Sequence, residues 1–203
     1  MLSNVNVNYH SSIKIDDIYV DPFNISDNST KASYIFITHS HYDHFSLEDI
    51  KKIVVDKTIF ICPSDVEKEL KKHYKNKIVI VSPGKQYRID EMSFSTFSSY
   101  NIHKPFHPKS NGWVGYVIEH NGIRYSILGD TDLTDEVKQI SCDVLFVPIG
   151  GTYTMDYKTG AELSNLIKPK VVVPVHYNGI VGSKNDEKEF IKLLDNIDYI
   201  IYL

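Results

Sequence analysis

The sequence predicts an α/β fold with β-sheet in the middle and helices outside. Short apolar strand patterns recur along the whole chain, and several of them alternate with segments of helical periodicity. Two serine-led segments, Ser46–Asp49 and Ser64–Glu67, resemble the capping boxes that begin helices. The length of 203 residues suffices for one domain with a sizeable core, so we predict a single domain over residues 1–203.

The predicted strands and helices follow from apolar periodicity and from turn residues between the periodic runs. Each early helix begins after a serine and continues with apolar residues at helical spacing, and His120–Gly122 supplies a hairpin turn. The predicted strands are Asn4–Tyr9, Ser12–Ile15, Ile18–Val20, Tyr34–Ile37, Thr58–Ile61, Lys77–Val81, Met92–Ser98, Trp113–Glu119, Arg124–Leu128, Val144–Val147, Val171–Val175 and Tyr199–Tyr202. The later helices are predicted at Thr134–Gln139, Lys158–Ile167 and Asp186–Leu194.

Composition and charge favour an ordinary globular protein of the cytoplasm. Hydrophobic residues make up 42% and charged residues 24%, and the net charge of -4 argues against nucleic acid or an anionic membrane as the partner. We expect no signal peptide and no membrane span, because no apolar run has the required length. Cys62 and Cys142 lie in or beside apolar runs, which predicts buried thiols rather than a disulfide or a metal pair.

A run of histidines after a predicted buried strand carries the strongest functional signal. Three histidines and one aspartate stand between His39 and His44, directly after the apolar run Tyr34–Ile37. A protein core would have to desolvate these side chains, and a solvated loop has no reason to collect them. Imidazole and carboxylate donors suit zinc better than calcium or magnesium. The segment therefore predicts a metal site where a strand ends.

Other ligand-type residues have the same kind of position. Asp130 and His176 each come directly after an apolar strand, and His103 and His107 lie in the loop that follows Met92–Ser98. Strand ends of a sheet converge on one edge, so residues distant in sequence can meet there. Together these side chains supply enough imidazole and carboxylate donors for two metal ions.

The pattern of these three blocks resembles the metallo-β-lactamase superfamily. The run His39–His44 matches its HxHxDH motif, Asp130 is similar to its later bridging aspartate, and His176 is similar to its last histidine. The segments Trp113–Tyr116 and Pro148–Asp156 resemble a branch of small hydrolases similar to sugar-phosphate lactonases and N-acyl-phosphatidylethanolamine phospholipase D-like enzymes. The resemblance covers nearly the whole chain and implies one metallo-β-lactamase-like domain, a four-layer αββα sandwich of two facing sheets between helices.

The resemblance also implies a set of metal ligands. These are His39, His41 and a third histidine for the first metal, Asp43, His44 and His176 for the second, and Asp130 as a bridge. The family's third histidine usually follows a strand near residues 97–107, where this chain has Tyr100 and Asn101 at the expected position. We choose His107 over His103 for this role. A site with one metal, or one completed by solvent, remains open at this point.

The implied activity is that of a metal-dependent hydrolase. Two divalent ions, zinc first and manganese or iron as alternatives, would supply a metal-bound hydroxide that attacks a small ester, lactone or phosphodiester. Asp43 would orient this hydroxide or take its proton, and His176 is the second residue that we predict to be catalytic. The predicted partner is a small-molecule substrate.

Three other functions use the same ligands. A nuclease is disfavoured by the acidic balance and by the lack of an added basic or aromatic module. A di-iron redox enzyme is disfavoured because no flavin-binding domain follows in this chain. A metal-binding protein without catalysis is disfavoured because structural zinc sites are usually closed and rich in cysteine.

Several residues near these motifs are predicted to take no part in the chemistry. His10, His73 and His120 stand apart from other ligand-type residues in the sequence, which predicts surface or turn histidines. Asp21 precedes Pro22 and is predicted only to begin a turn.

Overall fold

A computed structural model describes residues 2–26 and 29–203, and these residues form two compact units. The first unit runs to Val81 and includes Tyr202–Leu203, and the second unit is Ser82–Ile201. Within the described ranges the chain has no helix that is both long enough and apolar enough to cross a membrane.

The first unit contains a sheet of six strands in the order β1-β2-β3-β4-β5-β6. The first three strands are antiparallel, whereas β3 to β6 are parallel and are separated after β4 by helices. The strands are β1 Val5–Val7, β2 Ile13–Ile15, β3 Ile18–Val20, β4 Tyr34–Phe36, β5 Ile59–Cys62 and β6 Ile78–Ile80. The helices are α1 Leu47–Ile53 between β4 and β5, and α2 Ser64–His73 between β5 and β6.

Of the two capping boxes predicted in this unit, one begins its helix at the predicted serine and the other does not. Ser46 is the N-cap of α1, and its side chain accepts a hydrogen bond from the Asp49 backbone N–H, as expected for a capping serine. The second predicted box is wrong, because Ser64 already lies in the helix and the N-cap position is held by Pro63. Apolar side chains from α1, α2 and the parallel strands form the core of the unit around Ile35 and Phe60.

The second unit contains a sheet of seven strands in the order β13-β12-β11-β10-β9-β8-β7. Strands β7 to β10 are antiparallel, and β10 to β13 are parallel. The strands are β7 Gln86–Ile89, β8 Met92–Ser98, β9 Val114–His120, β10 Ile123–Ile127, β11 Val144–Pro148, β12 Val171–Val175 and β13 Asp198–Tyr199. The helices are α3 Tyr157–Ile167 and α4 Lys184–Lys192.

Three predictions for this unit need correction, and one further strand lacks a prediction. The strand β7 was not predicted, because its residues alternate in exposure at the sheet edge and include charged and polar side chains. The helix predicted at Thr134–Gln139 is only a 3-10 turn over Val137–Gln139. Helix α4 begins earlier than predicted, behind a capping box formed by Ser183 and Asp186. The last strand ends at Tyr199 rather than Tyr202.

Candidate metal centre

The histidine run of the first unit begins where strand β4 ends. β4 is paired in parallel with β3 and β5, so its carboxyl end lies at the edge of the sheet where ligand sites usually form. His39 is buried, and its ring centroid lies 4.8 Å from that of His41 and 4.1 Å from that of His44. A tight turn holds the run together, since the Phe45 backbone N–H donates to the His41 carbonyl at 2.8 Å.

A buried carboxylate, Asp21, organises this run from the end of strand β3. It accepts hydrogen bonds from the Thr38 backbone N–H at 2.8 Å and from the Thr38 hydroxyl at 2.6 Å. Its second oxygen also lies 2.7 Å from His44 Nδ1. Burial raises the pKa of the Asp21 carboxyl, and the charge and hydrogen bonds of His44 and Thr38 oppose this rise. The prediction that Asp21 only begins a turn is therefore wrong.

The contacts of Asp21 orient two histidine rings. A carboxylate only accepts, so His44 Nδ1 carries a proton and donates it to Asp21, which leaves Nε2 as the ring nitrogen that can face a metal ion. The Thr38 hydroxyl donates a hydrogen bond to Asp21, so its oxygen accepts one from His39 Nδ1 at 2.9 Å. His39 therefore also leaves Nε2 as the ring nitrogen that can face a metal ion. In metal-binding histidines, the ring nitrogen that does not bind the metal usually donates a hydrogen bond to an oxygen in the same way.

His10 joins this group, although no local sequence motif predicts it. The residue lies in the turn between β1 and β2, and it is only 1% exposed. Its Nε2 atom lies 3.2 Å from Asp43 Oδ2, and its ring centroid lies 5.9 Å from that of His44. The expectation of a histidine without ligand company is wrong, because the hairpin brings it to residues far along the chain.

In the second unit the loop after β8 buries His107 and exposes His103. His107 Nδ1 lies 3.0 Å from Asn101 Oδ1, while the amide N–H of Asn101 donates to the Tyr153 carbonyl at 2.9 Å. The Asn101 oxygen therefore faces His107 as an acceptor, which leaves Nε2 as the ring nitrogen that can face a metal ion. Lys104 anchors the same loop through an ion pair with Asp132.

Asp130 and His176 follow strands β10 and β12 and meet His107 within the second unit. Asp130 Oδ2 lies 3.3 Å from His107 Nε2 and 2.9 Å from His176 Nε2. His176 has a left-handed backbone with φ of 57°, which is a strained conformation for a non-glycine residue. A Cβ at Gly150 would stand 2.1 Å from the His176 carbonyl oxygen, so only glycine lets the chain after β11 pass this close.

The donor sets of both units fit a divalent metal ion. Two ligands about 2.0–2.1 Å from one zinc ion, at ordinary coordination angles, stand about 3.0–3.4 Å apart. The distances of 3.3 Å and 2.9 Å around Asp130, and of 3.2 Å between His10 and Asp43, lie at or close to this range.

The structure also limits which other residues take part in the chemistry. Burial raises the pKa of the Cys62 and Cys142 thiols to about 12, so both stay protonated at neutral pH and are poor nucleophiles. Both thiols are buried and free, as predicted. Tyr177 directs its hydroxyl to Glu187 at 2.8 Å, so it is engaged with helix α4.

Each unit therefore gathers its own share of the predicted ligands. The first unit groups four predicted ligands: His39, His41, Asp43 and His44. The second unit groups three predicted ligands: His107, Asp130 and His176. Sequence reasoning missed His10 and the supporting residues Asp21 and Asn101. Only the dipeptide Asp21-Pro22 gave a local signal, and that signal indicated a turn.

Comparison with known proteins identifies the family. The profile of the family described as the beta-lactamase superfamily domain matches residues 10–176. A protein of Pyrococcus furiosus from the UPF0173 group is 28% identical, with 91% of this chain and 87% of that protein covered. A UPF0173 metal-dependent hydrolase of Saccharolobus solfataricus is also 28% identical, with 91% of this chain and 83% of that protein covered.

Solved structures agree with this assignment. A protein of Parabacteroides distasonis, described provisionally as a metal-dependent hydrolase, superposes with a TM-score of 0.83 at 26% identity and covers 98% of this chain and 91% of its own. The metallo-beta-lactamase fold protein YhfI of Bacillus subtilis superposes with a TM-score of 0.72 at 12% identity, covering 97% of this chain and 95% of its own. The predicted metallo-β-lactamase-like fold class is confirmed.

Proposed function

Because the chain belongs to the family of beta-lactamase superfamily domains, we propose that it is a metal-dependent hydrolase. We propose a small ester, lactone or phosphodiester as its substrate and the cytoplasm as its location. The substrate class is supported by the resemblance of Trp113–Tyr116 and Pro148–Asp156 to small lactonases and phospholipase D-like hydrolases. The activity is supported by the similar proteins that carry the name metal-dependent hydrolase.

The proposed centre binds two divalent metal ions, of which zinc suits the donors best. The proposed ligands are His39, His41 and His107 for the first ion, Asp43, His44 and His176 for the second, and Asp130 for both. Manganese and iron suit the same imidazole and carboxylate donors. The whole chain over residues 1–203 would act as one domain in this proposal.

The observation that carries the proposal is the orientation of three buried histidine rings. In His39, His44 and His107 the Nδ1 atom faces an oxygen, that of Thr38, Asp21 and Asn101 respectively. Each ring therefore leaves Nε2 as the nitrogen that can face a metal ion, which is how metal-binding histidines are usually held.

The residues of the chain have distinct tasks in the proposed reaction. Bound metal ions would supply a strong nucleophile from water at neutral pH and polarise the scissile carbonyl or phosphoryl group. Asp43 is buried beside His10 and His44, and its carboxylate would orient the attacking water and accept its proton. Asp21 and Asn101 hold the rings of the ligands in place and thereby keep the geometry of the reaction fixed.

A substrate panel before and after metal removal tests this proposal. We expect the purified protein to hydrolyse at least one member of a panel of lactones, phosphodiesters and thioesters. Treatment with a chelator should abolish that turnover, and added zinc or manganese should restore it, because the nucleophile depends on the metal. Turnover that survives complete removal of metal would contradict the proposal.

A further inference from the structure

The turn between β1 and β2 presents a buried imidazole to the predicted second metal site. The ligand atoms of His10, Asp43 and His44 all lie within 4.8 Å of one another. The 3.2 Å between His10 Nε2 and Asp43 Oδ2 is close to the 3.3 Å and 2.9 Å by which Asp130 Oδ2 is separated from its two histidines. The contact therefore has the spacing of two ligands of one ion.

The turn that carries His10 is firmly held in place. The Ser12 backbone N–H donates to the Tyr9 carbonyl at 2.8 Å, and the Ser12 hydroxyl accepts from the Phe23 backbone N–H at 3.1 Å. These bonds tie the turn to the chain that follows Asp21. His10 itself has a left-handed backbone with φ of 56°, an uncommon conformation that histidine adopts more readily than most non-glycine residues.

We propose that His10 is a further ligand of the second metal ion, through Nε2, beside Asp43 and His44. This inference rests on the proposed metal centre and adds a residue that neither the sequence motif nor the family resemblance assigns. His10, His44 and Asp43 supply two imidazoles and one carboxylate from the first unit, which are donor types that catalytic zinc sites use.

The two ring nitrogens of His44 have different contacts. Its Nδ1 donates to the Asp21 carboxylate, which leaves Nε2 as the donor atom toward a metal. Nε2 of His44 lies 3.9 Å from Asp43 Oδ2, and Nε2 of His10 lies 3.2 Å from the same oxygen. Asp43 Oδ2 therefore lies near both imidazole nitrogens, and nearer to that of His10.

Substitution of His10 by Asn and by Gln tests this role. Asn tolerates the left-handed backbone and is too short to reach the ion, while Gln places an amide N–H near the position of Nε2. We expect both variants to bind zinc at the second metal site at least about tenfold less tightly than the unchanged protein. Loss of a group that only supports a ligand already lowers metal affinity about tenfold or more. We also expect an altered cobalt absorption spectrum, because the coordination of the ion changes.

The controls separate the possible failures. His73→Asn removes a histidine that is half exposed on helix α2 and should leave zinc affinity and the cobalt spectrum unchanged. Wild-type zinc affinity in His10→Asn would overturn the inference. Wild-type zinc affinity in His10→Gln alone would also overturn it, because it would show that position 10 only donates a hydrogen bond to Asp43. If the unchanged protein binds no zinc, the proposed function fails first. Thermal unfolding with chelator checks that the variants fold, and His10→Gln carries the affinity test if His10→Asn does not.

Discussion

Asp130→Asn is expected to lower the affinity for the second metal ion and to reduce kcat at least about a hundredfold. A carboxylate that bridges two cations offers one oxygen to each and offsets their repulsion. Asn keeps the shape but removes the charge, which leaves the two ions poorly compensated in a buried place. Asp130 is only 3% exposed and has one oxygen beside both His107 and His176, so solvent cannot replace its charge.

Metal titration together with turnover on the active substrate measures this effect. Asp135→Asn is the matched control, because it removes a carboxylate whose side chain is 89% exposed on the same stretch of chain. Full metal occupancy and near-normal turnover in Asp130→Asn would show that Asp130 does not bridge. The fold should be retained in both variants, since Asp130 lies after the end of strand β10.

His107→Ala is expected to weaken the first metal site strongly, while His103→Ala should have little effect. His107 is buried, and its ring is oriented by Asn101, whereas His103 is exposed on the same loop. Loss of an oriented imidazole ligand should reduce metal affinity by at least about the tenfold to hundredfold that is typical for its supporting residues. The result for His107→Ala should resemble that for His41→Ala.

Zinc titration of His107→Ala, His103→Ala and His41→Ala under the same conditions checks this prediction. Both loop substitutions remove an imidazole and leave the same small side chain, so a difference between them reports the position of the ring. A larger loss in His103→Ala than in His107→Ala would reverse the choice of the third histidine. Equal, unchanged affinities would mean that another side chain or water completes the first site.

Strands with a regular apolar pattern were predicted best from the sequence. Strand β12 is a continuous apolar run, and in β8 serines alternate with apolar residues, so both strands have the predicted bounds. The edge strand β7 was missed because a partly exposed strand with charged side chains has the pattern of a loop. The start of α2 was misplaced because Ser64 and Glu67 match a capping box even inside the first turn.

The site was predicted only where its residues share a local motif or a strand end. The run His39–His44 is such a motif, and Asp130 and His176 follow strands that the apolar pattern had already indicated. His10 and Asp21 were missed because their contacts with Asp43 and Thr38 join distant parts of the chain. Hydrophobic periodicity predicts which face is buried, but it carries no information about which polar side chains meet across a hairpin or between parallel strands.

The metal content of the purified chain tests the central claim most directly. After reconstitution with zinc and removal of loosely bound ions, elemental analysis should find close to two metal ions per chain, as expected for a two-metal hydrolase. The result should hold for the unchanged protein and fall in Asp130→Asn and His107→Ala. A value of one would contradict the two-metal assignment, and a value that stays at zero would contradict the proposal that this protein is a metal-dependent hydrolase.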